Sequence, residues 1–294
     1  MKLRPFQRIV PRWARYDIWN VGIAELDAPL TDVHQLRHLS SVRWLPPQPP
    51  LRYIADPFPY RDRGGRERLL VEDYGHQRGV RGQVAQIDVA DPSRLAPAIV
   101  RDRHISYPYT FTDGRETLCA PEMSAEDGCV LYRLDADGGW TPAIHVLRGV
   151  RVVDPTFVRY GDRWWLFATE PPPGHNSNLH AFHAERIDGP WTAHARNPIK
   201  QDIASARPAG RPFTIGDRLY RPAQDCSRTY GGAVHVMEIR KLTPTDFSET
   251  VAVRLEPDAS WPYPDGLHHL VVDGTRVYLD AKRTHVDWLL PWKL

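Results

Sequence analysis

The chain has 294 residues, 41% of them apolar, with 38 basic against 36 acidic side chains and a net charge of +2. This is enough length and apolar content for one large or two ordinary folded domains. Charge is nearly balanced and arginine is scattered rather than clustered, which argues against a nucleic-acid partner.

Cys119, Cys129 and Cys226 form neither a C-x-x-C pair nor a disulfide framework, a usage that fits a reducing compartment. The opening "MKLRPFQRIVPRWARYD" carries charges but no apolar leader core, and no run of 18 apolar residues occurs. The expectation is a cytoplasmic protein without a transmembrane segment. The 28 prolines and 20 glycines interrupt every helix-forming run, so the chain reads as all-β.

In chain order, residues 1–50 hold a strand-like "DIWNVGIAEL" and then a proline-rich "WLPPQPPLRY". From residue 51 to 294 one pattern recurs: X-Pro, an apolar pair, a Gly/Asp turn and a second apolar run. Its copies are "ADPFPYRDRGGRERLLVED", "SYPYTFTDGRETLCAPE", "VDPTFVRYGDRWWLFATE", "ARPAGRPFTIGDRLYRPAQD" and "PYPDGLHHLVVDGTRVYLDAK". Their X-Pro starts fall at Asp56, Tyr107, Asp154, Arg207 and Tyr263, at intervals of 51, 47, 53 and 56 residues. A period of about 50 residues with several short strands per unit predicts a five-bladed β-propeller. Proline at a strand's first position loses no ladder hydrogen bond. Turns such as Asp113-Gly114 and Gly161-Asp162 reverse the chain as hairpins. The N-terminal segment 1–50 is expected to pack with the last blade and close the ring, which removes two unpaired edges.

The first strand of each propeller blade lines the axis, so Asp56, Tyr107, Asp154, Arg207 and Tyr263 are expected to converge. A second polar position, at the end of each second strand, reads Glu72, Glu122, Glu170, Gln224 with Asp225, and Asp280 with Lys282. Carboxylates gathered from separate blades raise the pKa of at least one of them, which suits a general acid beside an ionised base. Arg207 and Arg211 offer planar forks for a phosphate or carboxylate, or fixed partners for the neighbouring acids. Arg221, Gln224, Asp225 and Tyr230 follow beside a glycine pair. His268 and His269 are adjacent in a strand, so only one is expected to reach the axis. No H-E-x-x-H or close His/Cys pairing occurs, so neither a metal nor a cofactor is expected.

"ADPF", "SYP", "DPTF", "ARPAGR", "LYRPAQDCS" and "LTPTDF" together resemble the propeller at the N-terminus of plant glucosamine inositolphosphorylceramide transferases and related stand-alone bacterial proteins. The resemblance spans about residues 40–285. That family is similar in architecture to five-bladed glycosidases of the arabinanase, xylosidase and invertase group. The resemblance implies that Asp56 is the first-blade base or nucleophile and that Asp154 is the third-blade aspartate that tunes the acid. The fourth-blade glutamate that serves as acid in arabinanase-like enzymes has no counterpart, since Arg207 and Arg211 stand there. Tyr107-Pro108 likewise replaces the second-blade Arg-Asp-Pro of the invertase-like scheme. Either Glu122 or Glu170 then supplies the proton, or the chemistry is not plain hydrolysis.

The functional expectation is glycosidic-bond hydrolysis or glycosyl transfer on a sugar or sugar phosphate. Asp56, Glu122, Asp154 and Glu170 are its catalytic candidates. Its binding candidates are Glu72, Tyr107, Arg207, Arg211, Arg221, Gln224, Asp225 and His268. The alternatives are a non-catalytic glycan or sugar-phosphate module serving a partner transferase, and a propeller turned to a cyclase, lyase or group-transfer step.

Overall fold

The structure is a computed structural model that describes residues 11–39, 41–123, 126 and 128–290. Residues 1–10 of the expected closing segment and 291–294 of the expected propeller lie outside the described residues.

The chain opens with β1 (Arg15–Glu25) and β2 (Val42–Trp44). Four blades follow. The first is β3 (Arg52–Arg61), β4 (Glu67–Gly75), β5 (Gln83–Asp88) and β6 (Leu95–Ile99). The second is β7 (Ser106–Asp113), β8 (Glu116–Glu122), β9 (Cys129–Leu134) and β10 (Trp140–Val146). The third is β11 (Val153–Tyr160), β12 (Arg163–Thr169), β13 (Asn178–Ala184), β14 (Thr192–Ala193) and the short β15 (Lys200–Gln201). The fourth is β16 (Phe213–Ile215), β17 (Arg218–Asp225), β18 (Ala233–Leu242) and β19 (Phe247–Leu255). The last hairpin, β20 (Gly266–Asp273) and β21 (Arg276–Val286), joins β1 and β2 in the order β20-β21-β1-β2 to make the fifth blade.

The result is a five-bladed, nearly all-β propeller. β1 pairs antiparallel with β21 from Arg15↔Val286 to Glu25↔Arg276, so the beginning of the chain covers the open edge of its end. Phe58, Tyr107, Tyr109, Phe157 and Val271, carried on inner strands of four blades, lie in one buried cluster around the axis. Burial of such large apolar side chains, at about 25 cal/mol per Å² of apolar area, is the main force holding blade to blade.

Four of the five inner strands carry an irregularity near the start. Pairing slips between Ala55 and Phe58, between Ser106 and Tyr109, between Val153 and Thr156, and between Leu267 and His269. At three of these bulges the residue before proline takes a left-handed backbone: Asp56 (φ 52°), Tyr107 (φ 44°) and Asp154 (φ 53°). None is glycine, so each conformation costs on the order of 1–3 kcal/mol. Bulges re-aim side chains, and here they direct these residues into the axis. The fifth blade corrects the expected register. Its inner strand starts at Gly266, and its bulged residue is His268. Tyr263 sits outside the strand, accepting a hydrogen bond from Asn20 Nδ2 at 3.1 Å and packing against Trp44.

A chain lacking residues 1–28 loses β1 and leaves β21 as a bare edge. Its expected behaviour in a thermal melt followed by near-UV circular dichroism is aggregation or loss of the cooperative transition. Melting like that of the full chain would contradict the closing role of this segment.

Candidate active site

At the end of the axis where the inner strands start, a cavity of about 320 Å³ opens. Asp56, Glu72, Glu122, Asp154, Arg207 and Gln224 line it, together with Tyr53, Tyr74, His76, His104, Ser106 and Tyr230. The acids arrive on two kinds of position. Asp56 and Asp154 sit on bulges of inner strands. Glu72 and Glu122 sit near the ends of second strands, opposite Ala55 and Ser106. The equivalent position of the third blade, opposite Val153, is Thr169 rather than Glu170.

That one-residue offset decides the fate of Glu170, because consecutive strand positions face opposite sides. Its carboxylate accepts from Asn178 Nδ2, lies 3.2 Å from His180 Nε2 and does not line the cavity. The same alternation separates Gln224 from Asp225. Gln224 lines the cavity and donates to Pro208 O, whereas Asp225 turns away to Ser227 and Arg254. Arg221, an odd number of residues before Gln224, also points away. Its guanidinium is buried against Glu249 at 2.6 and 2.7 Å and donates to Ser205 O.

Arg211 does not join Arg207. Four residues of extended chain span about 13 Å, which carries Arg211 to the opposite end of the axis. There it donates to Pro59 O and Thr110 O and lines a separate cleft with Tyr109 and Phe157. Tyr107 lies beneath the cavity. Its hydroxyl bonds Thr156 Oγ1 and accepts from Gly210 N, both at 2.9 Å, so it ties the second blade to the third and fourth. Gly210 must be glycine: its φ is +127°, and a Cβ there would lie 2.0 Å from Leu270 O.

Two hydrogen-bonded groups fill the acidic floor. In the first, Arg207 Nε donates to Asp154 Oδ2 at 2.7 Å and Nη1 donates to Asn176 Oδ1 at 3.1 Å. Arg207 Nη2 is 3.4 Å from Asp154 Oδ1 and 4.0 Å from Glu122 Oε2, and Tyr230 covers the guanidinium at 5.1 Å. In the second, His268 Nδ1 lies 2.5 Å from Asp280 Oδ1, and Asp280 Oδ2 accepts from Asp56 N at 2.8 Å. His268 Nε2 and His269 Nδ1 stand 3.7 and 3.4 Å from Asp56 Oδ1. Both histidines therefore reach the same carboxylate. The bulge at His268 cancels the alternation from which only one was expected to do so. Asp56, His268 and Asp280 bring one ligand atom each within 4.8 Å, a donor set that the chain's motifs did not announce.

These surroundings divide the carboxyl groups. Burial opposes ionisation of Asp56, but His268, His269 and Arg207 outweigh it and hold its pKa below the ordinary value. Burial pushes Glu72 well up, and Asp56, Glu122, Asp154 and Asp280 add to the effect. Burial also raises Asp154, with Arg207 pulling the other way and Glu122 adding to the rise. The His268 imidazolium is disfavoured by burial, yet Asp280 and Asp56 raise its pKa overall.

The wall residues Tyr53, Tyr74, His76 and His104 were not singled out from the sequence. A signal existed for two of them. Glu72, Tyr74 and His76 are spaced by two in "EDYGH", so a strand that aims Glu72 inward brings the others onto the same face. The N-terminal segment also reaches the site: Trp19 stacks on His268 at 4.0 Å, and Asp17 O lies 2.7 Å from His76 Nε2.

Residues 49–263 match the family described as "Glucosamine inositolphosphorylceramide transferase 1, N-terminal". Glucosamine inositolphosphorylceramide transferase 1 of Oryza sativa subsp. japonica is 34% identical over 210 residues, as is that of subsp. indica, with 68% of this chain covered. The match spans 28% of the length of each of these curated relatives. Among solved structures, a family 117 glycoside hydrolase of the marine bacterium Zobellia galactanivorans superposes with TM-score 0.55 at 11% identity, covering 90% of both chains. An exo-β-1,3-galactanase of Clostridium thermocellum superposes with TM-score 0.53 at 10% identity, covering 75% of this chain and 58% of that one. At such identities the likeness is one of fold.

The burial of Glu72 makes a prediction about stability. Because its folded pKa lies above 4.5, the native state holds a proton that the unfolded chain releases. The contribution of Glu72 to stability is therefore fully present below pH 4.5 and is lost as pH rises through the shifted range. Replacing Glu72→Gln removes that loss. In differential scanning calorimetry the variant is expected to melt a few degrees higher than the parent at pH 8, at roughly 2–4 °C per kcal/mol. The gain should shrink toward pH 4.5. A Glu72→Gln chain no more stable at pH 8 than the parent would contradict this environment.

Proposed function

The chain belongs to the glucosamine inositolphosphorylceramide transferase N-terminal family, and from that premise we propose that its acidic cavity cleaves or transfers a glycosidic bond. The observation that carries the reading is the unequal treatment of two acids in one cavity. Asp56 is flanked by two imidazoles at 3.4 and 3.7 Å, whereas Glu72 makes no hydrogen bond among the described residues and faces only His104 Nε2 at 3.7 Å. Two carboxyl groups driven apart in proton affinity are what acid and base assignments require.

Asp56 is the ionised base or nucleophile. Glu72, expected from the sequence only as a binding residue, replaces Glu122 and Glu170 as the proton donor. An oxocarbenium-like transition state needs one carboxyl group to protonate the departing oxygen and a second to assist attack at the sugar carbon. Asp154 and Arg207 hold each other in place and form the floor. His268, backed by Asp280, orients Asp56 and keeps it charged. The substrate is a glycosyl compound rather than a sugar phosphate, because Arg207 is already occupied by Asp154 and Asn176. Three buried, unpaired cysteines favour a reducing, cytoplasmic setting for this activity.

A second reading, a sugar-binding module that serves a transferase, is favoured by one observation: the matched segment is only 28% of relatives that carry the transferase name. One assay separates the two. The purified chain is incubated with a panel of aryl glycosides and nucleotide sugars, and product is followed by mass spectrometry. The catalytic reading expects turnover by the parent and a loss of about 10²–10⁴-fold in Asp56→Asn, with the folded state retained by circular dichroism. Equal turnover by both would refute Asp56's role. Binding of a sugar by both without product would establish the module instead.

A further inference from the structure

The propeller axis has a second opening, opposite the carboxylate-lined cavity. Where the inner strands finish, a cleft of about 440 Å³ takes residues from all five blades, among them Arg61, Thr110, Phe157, Arg211 and Asp273. Its size is within the range of small-molecule sites, and two features of its wall favour one kind of occupant.

The first is charge. Arg61, Arg159 and Arg211 share the wall with a single acid, Asp273. None of the three forms an ion pair among the described residues: Arg61 donates to Gly65 O, Arg159 lies over Trp164 at 6.0 Å, and Arg211 bonds backbone and hydroxyl oxygens. Arg211 is half-buried, whereas Arg61 and Arg159 are exposed. Its Nε donates to Thr110 O at 3.1 Å, and its Nη2 donates to Pro59 O and Thr110 Oγ1 at 2.9 and 2.8 Å. Its Nη1 makes no hydrogen bond among the described residues, although the side chain lines the cleft. Neutral acceptors orient a guanidinium but leave its charge uncompensated, and it does not lose its proton at any working pH. A half-buried cation with one nitrogen open is a place for an anion.

The second feature is the apolar floor. Phe111 and Phe157 stack at 5.2 Å with their planes 11° apart, and Trp164 meets Phe111 edge-on at 5.5 Å. All three line the cleft while belonging to the buried core, so their rings are already fixed. Fixed rings offer apolar area to a ligand without a further ordering cost.

We propose that this cleft binds a small aromatic carboxylate, its charge on Arg211 Nη1 and its ring against Phe111 and Trp164. One negative charge fits better than two, because Arg211 has one open nitrogen and Asp273 stands on the same wall. Arg61 and Arg159 add attraction from the exposed side. The inference is independent of the glycosyl reading, since the cleft and the axial cavity have no lining residue in common.

Isothermal titration calorimetry of the full chain at neutral pH tests it with naphthylacetate, its primary amide, naphthyl phosphate and acetate. The carboxylate is expected to bind at least about tenfold tighter than the amide, the scale of one charge-assisted hydrogen bond. The phosphate should bind no tighter than the carboxylate, and acetate, lacking the ring, should give no measurable binding. Arg211→Gln is expected to bring carboxylate and amide to similar affinity. A crystal of the parent soaked in naphthylacetate should show its carboxylate within hydrogen-bond distance of Arg211 Nη1, so the test does not depend on that variant folding. An amide as tight as the carboxylate, a phosphate that binds tightest, an Arg211→Gln chain that keeps the preference, a ring bound elsewhere, or no binding by any probe would each overturn the inference.

Discussion

The bulged start of four of the five inner strands is the constraint on which the rest of the molecule depends. A regular strand sends alternate side chains to opposite faces of its own blade, and neither face is the axis. The left-handed residues Asp56, Tyr107 and Asp154 break that alternation, and their cost is offset by bonds that exist only because the backbone is turned. The amide of Asp56 donates to Asp280 of the fifth blade, and the amide of Asp154 donates to Glu122 of the second. The same acids that make the site chemically capable thus tie blade to blade. A stability cost at functional positions, compensated by surrounding structure, is the expected pattern.

This arrangement separates charge along the axis. One end gathers four carboxylates around a guanidinium already in use, with Glu72 left short of partners. Between the ends, Tyr107 accepts a hydrogen bond from Gly210 N beside the buried aromatic cluster. The other end holds Arg211, its guanidinium spent on Pro59 and Thr110. The N-terminal segment serves both stability and site. While β1 supplies the third strand of the fifth blade, its Trp19 stacks on His268 and its Asp17 meets Lys282, which in turn donates to Tyr230 O. No helix among the described residues is long and apolar enough to cross a membrane.

Much of this was legible in the chain. The period of the X-Pro copies gave the blade count, and the residue before proline gave the axial position in four blades, at Asp56, Tyr107, Asp154 and Arg207. What failed did so for local reasons. Without proline at the fifth-blade bulge, the repeat pointed to Tyr263, and only backbone pairing identifies His268. Glu170 and Asp225 lay one residue past the axial register, an offset too small to see in sequences that differ in turn length. Arg207 and Arg211 looked like a pair because spacing in sequence does not reveal that extended chain carries the second to the far end. Glu72 was legible as an inward carboxyl. Its raised proton affinity was not, since that depends on burial and on acids from other blades.

The most direct measurement is a crystal structure of the full chain with a bound glycoside. The account predicts a sugar ring in the carboxylate-lined cavity. Asp56 should stand about 3–3.5 Å from the anomeric carbon, with Glu72 within hydrogen-bond distance of the glycosidic oxygen. A sugar bound instead in the cleft beside Arg211, or one in the cavity with Asp56 and Glu72 both turned from its anomeric centre, would contradict it.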